Sequence, residues 1–155
     1  MATLKVKLIH PAAKLPARMT PGSAGLDLYA VESIELPPTR CDQSGCADVG
    51  RALVPTGIIL QLPPGTVGKV ASRSGLSVNS NIEAGAGWID SDYRGELKVE
   101  LKNLSSKPYK VNPGDRIAQL VILPLVDVEV ESALHLDDTE RNSSGFGSTD
   151  SRCEK

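Results

Sequence analysis

From Glu96 to Asn103 the chain reads Glu-Leu-Lys-Val-Glu-Leu-Lys-Asn, which sets Leu97, Val99 and Leu101 on one face and charged residues on the other. Alternation with a period of two belongs to a half-buried strand and cannot form the apolar stripe of a helix. Val126 to Glu131 repeats the pattern, and Leu4, Val6 and Leu8 carry it near the start. Further short strands are expected over Gly25 to Ala30, Ser33 to Leu36, Arg51 to Val54, Ile58 to Leu62, Thr66 to Ala71 and Ile117 to Leu123. Turn chemistry separates them at Pro37-Pro38, Pro63-Pro64-Gly65, Asp90-Ser91-Asp92 and Asn112-Pro113-Gly114-Asp115. Many short strands at this spacing specify an all-β sandwich, jelly roll or closed barrel. One short helix fits around Ser74 to Asn79, and the polar stretch Arg40 to Gly50 reads as a looped insert. The alternation stops near Asp138, so we expect a β-rich core over residues 1–137 and a Ser/Gly-rich tail over 138–155.

Only five aromatic residues are present, Tyr29, Trp88, Tyr93, Tyr109 and Phe146, so the interior must be built from Val, Ile, Leu and Ala. An aromatic outside that interior is therefore informative. Phe146 stands between Gly145 and Gly147 in a tail with Arg141 and Ser148, where a ring can lie on a flat ligand while a guanidinium and N–H groups hold anionic oxygens. A solvated, disordered end is the bland reading of the same residues. A net charge of -2 argues against a nucleic-acid polymer as partner. The sequence has neither a membrane-length apolar run nor the apolar stretch of a signal peptide, which predicts a soluble protein of the cytoplasm or nucleus. Cys41, Cys46 and Cys153 lack the pairing and histidines of a zinc site, so free thiols are expected, although oxidation would allow a Cys41–Cys46 loop.

Four other segments carry chemistry-bearing residues. Ala71-Ser-Arg-Ser-Gly-Leu76 ends a strand at a small-residue turn, where Arg73, Ser74 and the N–H of Gly75 suit a phosphate, or simply a turn. Gly85 to Gly95 joins Gly87 and Trp88 to the acidic hairpin Asp90-Ser-Asp92 and Tyr93. Its carboxylates suit a water, a sugar hydroxyl or a hydrated metal as well as a plain hairpin. Asp27 interrupts the apolar strand Leu26 to Tyr29, and periodicity favours solvent for it. Gln119 lies in an apolar strand and needs a hydrogen-bond partner if buried, while Asp115 and Arg116 read as a turn with an ion pair.

In this order the segments resemble the five motifs of homotrimeric deoxyuridine triphosphatases: Ala24 to Ala30, Ser72 to Leu76, Gly85 to Gly95, Gly114 to Leu120 and Arg141 to Thr149. The resemblance implies a jelly-roll-like (β-clip) subunit in a homotrimer, with each active site assembled from three chains and closed by a flexible tail. It implies hydrolysis of dUTP to dUMP and pyrophosphate, with Mg2+ on the triphosphate, keeping uracil out of DNA and supplying dUMP for thymidylate synthesis. Carried over, Asp90 would deprotonate the water that attacks the α-phosphorus, and Gln119 would help position both. Asp27 would hold waters of the magnesium shell, and Arg73, Ser74 and Gly75 would bind phosphate oxygens. Tyr93 would lie under the deoxyribose, and main-chain groups around Gly87 and Lys98 would read the uracil edge. From the tail, Arg141 and Ser148 would hold the outer phosphates while Phe146 stacks on the base, and Gly147 would also contact the substrate.

Three features depart from the family pattern: Asn142, Ser144 and Asp150 replace tail glycines, Trp88 stands where a smaller aliphatic residue is common, and the 40–50 insert is long. A related dCTP deaminase would need an acid/base glutamate near the base, for which Glu83 is the nearby candidate. A binding module that has lost catalysis is the reading from a different class.

Overall fold

The computed structural model describes residues 2–45, 47–139 and 142–143. Its strands are β1 (Lys5–Leu8), β2 (Leu26–Tyr29), β3 (Ile34–Leu36), β4 (Arg40–Cys41), β5 (Ala47–Asp48), β6 (Gly50–Gln61), β7 (Thr66–Ala71), β8 (Ile82–Gly85), β9 (Trp88–Ile89), β10 (Glu96–Asn103), β11 (Tyr109–Val111) and β12 (Arg116–Pro124). One helix, α1 (Ser74–Ser80), follows β7. Two four-stranded sheets, ordered β1-β6-β10-β8 and β2-β12-β7-β9, share one core, and the pairs β3-β11 and β4-β5 complete the fold.

The core follows from the alternation. Leu97, Val99 and Leu101 of β10 are buried with Val54, Ile58 and Leu60 of the neighbouring β6, and meet Leu28, Val70, Ala118 and Leu120 of the second sheet. Each fully buried side chain of this kind contributes about 1.5–3 kcal/mol of transfer free energy. Among the described residues no aromatic is fully buried, as the composition requires, and Trp88 and Tyr93 are 61% and 48% exposed.

Strands β7 and β10 match their expected limits, and α1 runs one residue longer than expected. The two strands expected around Val54 and Ile58 are one, β6, with an irregularity at its centre. Glu96 pairs with Ile59 while Lys98 pairs with Pro55, so Leu97 alone faces Thr56 to Ile58. Gly57 takes φ 66° there, a left-handed conformation open to glycine, and the bulge also seats Pro55, which cannot donate to a regular ladder. The Arg40 to Gly50 insert is a small hairpin, β4–β5, leading into β6, rather than a plain loop.

Val126 to Glu131 is not a strand. Alternation yields a strand only where another strand accepts its hydrogen bonds, and none among the described residues does. Val126, Val128 and Val130 are accordingly 83%, 69% and 90% exposed. Asn142 adopts φ 41°, the left-handed region an asparagine tolerates. The tail residues Arg141, Phe146, Gly147 and Ser148, and the cysteines Cys46 and Cys153, lie outside the described residues; Cys41 is exposed.

Candidate active site

A cleft opens where the chain leaves one sheet for the other. Strand β8 pairs with β10 only as far as Gly85 opposite Glu100. By Gly87 the chain has crossed to β7, where the Gly87 carbonyl accepts a 2.7 Å hydrogen bond from the Val70 N–H. Ala86 makes the crossing at φ 41°. This left-handed geometry costs a non-glycine residue roughly 1–2 kcal/mol. Gly87 has no room for a side chain, since a Cβ would lie 2.3 Å from the Val70 carbonyl oxygen.

Because β8 turns away at Gly85, backbone groups of 96–99 in β10 have no strand neighbour on that side among the described residues. Between them and β9 lies a cleft of about 490 Å³, lined by Trp88, Ile89, Asp90 and Tyr93 opposite Glu96, Leu97 and Lys98. Unpaired strand backbone with fixed donors and acceptors is suited to reading the edge of a planar base. Trp88, Ile89 and Asp90 all border this side. Among the described residues the Asp90 carboxylate has no hydrogen bond or ion pair, so its lone pairs are free for a ligand or water.

Tyr93 is held over its own turn. Its hydroxyl donates to the Glu96 carbonyl at 3.2 Å, and Gly95 leaves space for the ring, because a Cβ there would lie 2.3 Å from the phenol oxygen. The ring thus presents a fixed wall to the cleft. The Lys69 ammonium lies 4.8 Å from the centre of the Trp88 ring, a cation–π contact worth about 0.5–1 kcal/mol when exposed.

A second pocket lies across β2, β12 and β7. Gln119 of β12 is in register with Asp27 on one side and Ala71 on the other, so cross-strand geometry puts the three in one row. Gln119 donates from Nε2 to the Ser72 carbonyl at 2.9 Å. Gly25 gives it space, since a Cβ there would meet Gln119 Oε1 at 2.7 Å. Just past Ala71, Arg73 caps α1 from extended backbone, with no side-chain cap. The N–H groups of the first helical turn, Ser74 and Gly75 among them, lack intrahelical partners. Nothing lies within 4 Å of a Cβ built on Gly75. These residues, with Asp27, Arg116 and Gln119, line about 260 Å³ of polar space.

Asp27 is buried, at 7% exposure, which corrects the expectation from periodicity that it faces solvent. Both faces of β2 are covered, and the carboxylate is compensated by two arginines: Arg73 Nε at 3.2 Å and Arg116 Nη1 at 3.2 Å. A buried carboxylate needs such pairing. Arg73 Nη1 also donates to the Arg116 carbonyl at 3.0 Å. The expected Asp115–Arg116 pair is absent, because Asp115 accepts the Asn112 N–H at 2.8 Å and Arg116 turns to Asp27. Arg116 is thus a second cation of this pocket, although its place beside Asp115 gives it the local pattern of a turn residue. Its pairing opposite Tyr29 on β2, the strand that carries Asp27, brings it there.

Glu83 is an anchor here, not a free acid. Its two carboxylate oxygens accept from the hydroxyls of Ser72 and Ser77, and the Ser72 hydroxyl also accepts the Ala84 N–H at 2.8 Å. The bond from Ser72 and then that from Ser77 hold the Glu83 pKa below its usual 4.5, against a smaller opposing effect of burial. A depressed folded-state pKa contributes stability that is present above pH 4.5 and lost as pH falls through the folded value. Glu83→Gln is therefore expected to melt lower than the parent at pH 7, with the gap closing as pH falls below 4.5, as read by thermal unfolding.

An all-β scaffold that pairs a cleft of exposed backbone, aromatic walls and a free carboxylate with an arginine-lined anion pocket is that of a nucleotide-handling protein. A dUTPase family profile matches residues 12–150. Deoxyuridine 5'-triphosphate nucleotidohydrolase of Syntrophotalea carbinolica is 45% identical over 149 residues, covering 95% of this chain and 96% of its own. The enzyme of that name from Paramecium bursaria Chlorella virus 1 is 43% identical over 149 residues, 96% of this chain and 99% of its own. Among solved structures, a variant dUTPase of Staphylococcus bacteriophage 80alpha with dUpNHpp aligns at TM-score 0.83 and 28% identity, over 95% of this chain and 98% of that one. A mutant dUTPase from phage phi11 of S. aureus, described for its coordination of a structural Mg(II) ion, aligns at 0.74 and 28%, over 88% and 99%. The chain belongs to the dUTPase family.

Proposed function

We propose that this protein hydrolyses dUTP to dUMP and pyrophosphate, the cleft taking the nucleoside and the arginine pocket the phosphates. The observation that carries the reading is the unpaired Asp90 carboxylate on the wall of a base-sized cleft. A carboxylate left free there can hold and deprotonate a water for in-line attack on the α-phosphorus. Pyrophosphate then leaves with its charge dispersed over Arg73, Arg116 and the N–H groups of Ser74 and Gly75. Gln119, fixed by Ser72, presents its remaining amide group to the α-phosphate. Tyr93 forms the floor under the deoxyribose, and backbone at Gly87 and Lys98 discriminates uracil by its donor and acceptor pattern.

Magnesium fits this site as an ion carried in on the triphosphate. Among the described residues no group of three or more His, Cys, Asp or Glu side chains could hold a metal alone, and Mg2+ commonly pairs a carboxylate with substrate phosphates and waters. Asp27, whose oxygens keep lone pairs beyond their arginine contacts, would hold waters of its shell. When bound, the ion neutralises phosphate charge. Arg141 and Ser148 are assigned to the outer phosphates, Phe146 to the base face and Gly147 to a further substrate contact, making residues 138–155 a lid on the 1–137 core.

The strand register supports self-association, and the trimer is the assembly that the family resemblance implies. Ile89 pairs with Gly68, so Asp90 stands level with Val67, six residues from Arg73 along the direction of β7. That is roughly 20 Å at strand spacing. A triphosphate is far too short to meet both in one chain. The exposed valines of 126–130 form a further apolar surface for another copy to cover. No helix among the described residues is long and apolar enough to cross a membrane, and a dUTP substrate fits an intracellular setting. Incubation with dUTP and Mg2+ is expected to release pyrophosphate, with dCTP yielding no ammonia. Ammonia from dCTP would favour deamination, and tight dUTP binding without turnover would favour a binding module.

A further inference from the structure

We propose that Glu83 is a positioning residue for the phosphate-binding turn, tying both of its ends to β8 so that Arg73, Gln119 and the first turn of α1 keep the geometry a triphosphate needs. The inference rests on the reading of the arginine pocket as the triphosphate site. Glu83 itself does not line that pocket. It reaches it through two serines, Ser72 immediately before Arg73 and Ser77 within α1.

The turn needs an external tie. Helix α1 has only seven residues, no side-chain N-cap and no fully buried residue, and Leu76 alone of its side chains packs, partly buried, against the core, so propensity and packing hold it only weakly. Its first-turn N–H groups must nevertheless point at one place if they are to hold phosphate oxygens. Glu83 supplies the constraint by accepting from one hydroxyl on each side of Arg73, Ser74 and Gly75. Ser72 passes the constraint in two further directions. Its hydroxyl is pinned by the Ala84 N–H of β8 at 2.8 Å, and its carbonyl orients the Gln119 amide at 2.9 Å. One carboxylate thus sets the position of the helix start, the guanidinium and the amide together. A misplacement of the order of 1 Å in such groups is enough to cost a large factor in rate.

The test compares Glu83→Ala, Glu83→Asp and the parent, each at a temperature where circular dichroism reports it fully folded. For Glu83→Ala, KM for dUTP is expected to rise about tenfold and inhibition by inorganic pyrophosphate to weaken similarly. Inhibition by deoxyuridine, which needs only the cleft of Asp90 and Tyr93, should stay within about twofold of the parent. Glu83→Asp, which can reach one serine but not both, should fall between them. Unchanged KM and pyrophosphate inhibition in folded Glu83→Ala, or equal weakening of deoxyuridine and pyrophosphate, would overturn the proposal. A parent enzyme without dUTP turnover would instead overturn the function on which it rests, leaving pyrophosphate binding as the separate readout for Glu83.

Discussion

Asp90→Asn is expected to lower kcat for dUTP by about 10³- to 10⁴-fold, a general base being worth about 10²–10⁴ and a misoriented water adding to the loss. Affinity for a non-hydrolysable dUTP analogue should change by less than about threefold, since the amide keeps the size and most of the hydrogen bonding of the carboxylate. The pattern follows from the state of Asp90. It has no partner among the described residues, so its replacement breaks no ion pair and removes no support from β9. Asp27 differs. It is buried and shared by two arginines, so Asp27→Asn would disturb packing, charge and magnesium together. Steady-state kinetics with calorimetric binding of the analogue separates the two cases. A large loss of analogue affinity in Asp90→Asn would assign Asp90 to binding, and retained turnover would remove it from the mechanism.

Coexpression of Asp90→Asn and Arg73→Ala chains should raise activity above that of either variant alone. Arg73→Ala removes a charged hydrogen-bond donor, worth about 1.5–3 kcal/mol, and is expected to lose about 10- to 100-fold in kcat/KM. If each site takes Asp90 from one chain and Arg73 from another, random equal mixing leaves about a quarter of sites with both groups intact. Purified mixed oligomers should then show about that fraction of parent activity. If both residues served one site within a single chain, no mixed site would be intact and activity would remain at the level of the separate variants. The roughly 20 Å offset between the residues along β7, set by the Gly68–Ile89 register, is the reason to expect recovery.

Alternation made the central strands legible, and β7 and β10 have the limits read from sequence. The short strands β8, β9 and β11 escaped notice because they are defined by partners distant in sequence, not by their own pattern. Val126 to Glu131 departs in the opposite sense, having the pattern of a strand without an acceptor among the described residues. At the site, Asp90, Tyr93 and Lys98 share one cleft, while Asp27, Arg73, Ser74, Gly75 and Gln119 share the other pocket. Sequence order could not reveal that division, which depends on the crossing at Ala86. Asp27 was misjudged because strand periodicity reports which face a side chain takes but not what covers that face. Arg116 was hidden by its neighbour: a sequence-local ion pair with Asp115 was plausible, and the longer-range pair with Asp27 prevailed. Glu83 has no local signature, because its role depends on two serines brought to it by the β7–α1 turn.

In the proposed mechanism water attacks the α-phosphorus of dUTP. A single turnover in heavy-oxygen water, with products resolved by mass spectrometry, tests it directly. The heavy oxygen is expected in dUMP, with pyrophosphate unlabelled. Label in pyrophosphate, or formation of dUDP and phosphate, would place the attack at another phosphorus and contradict the account.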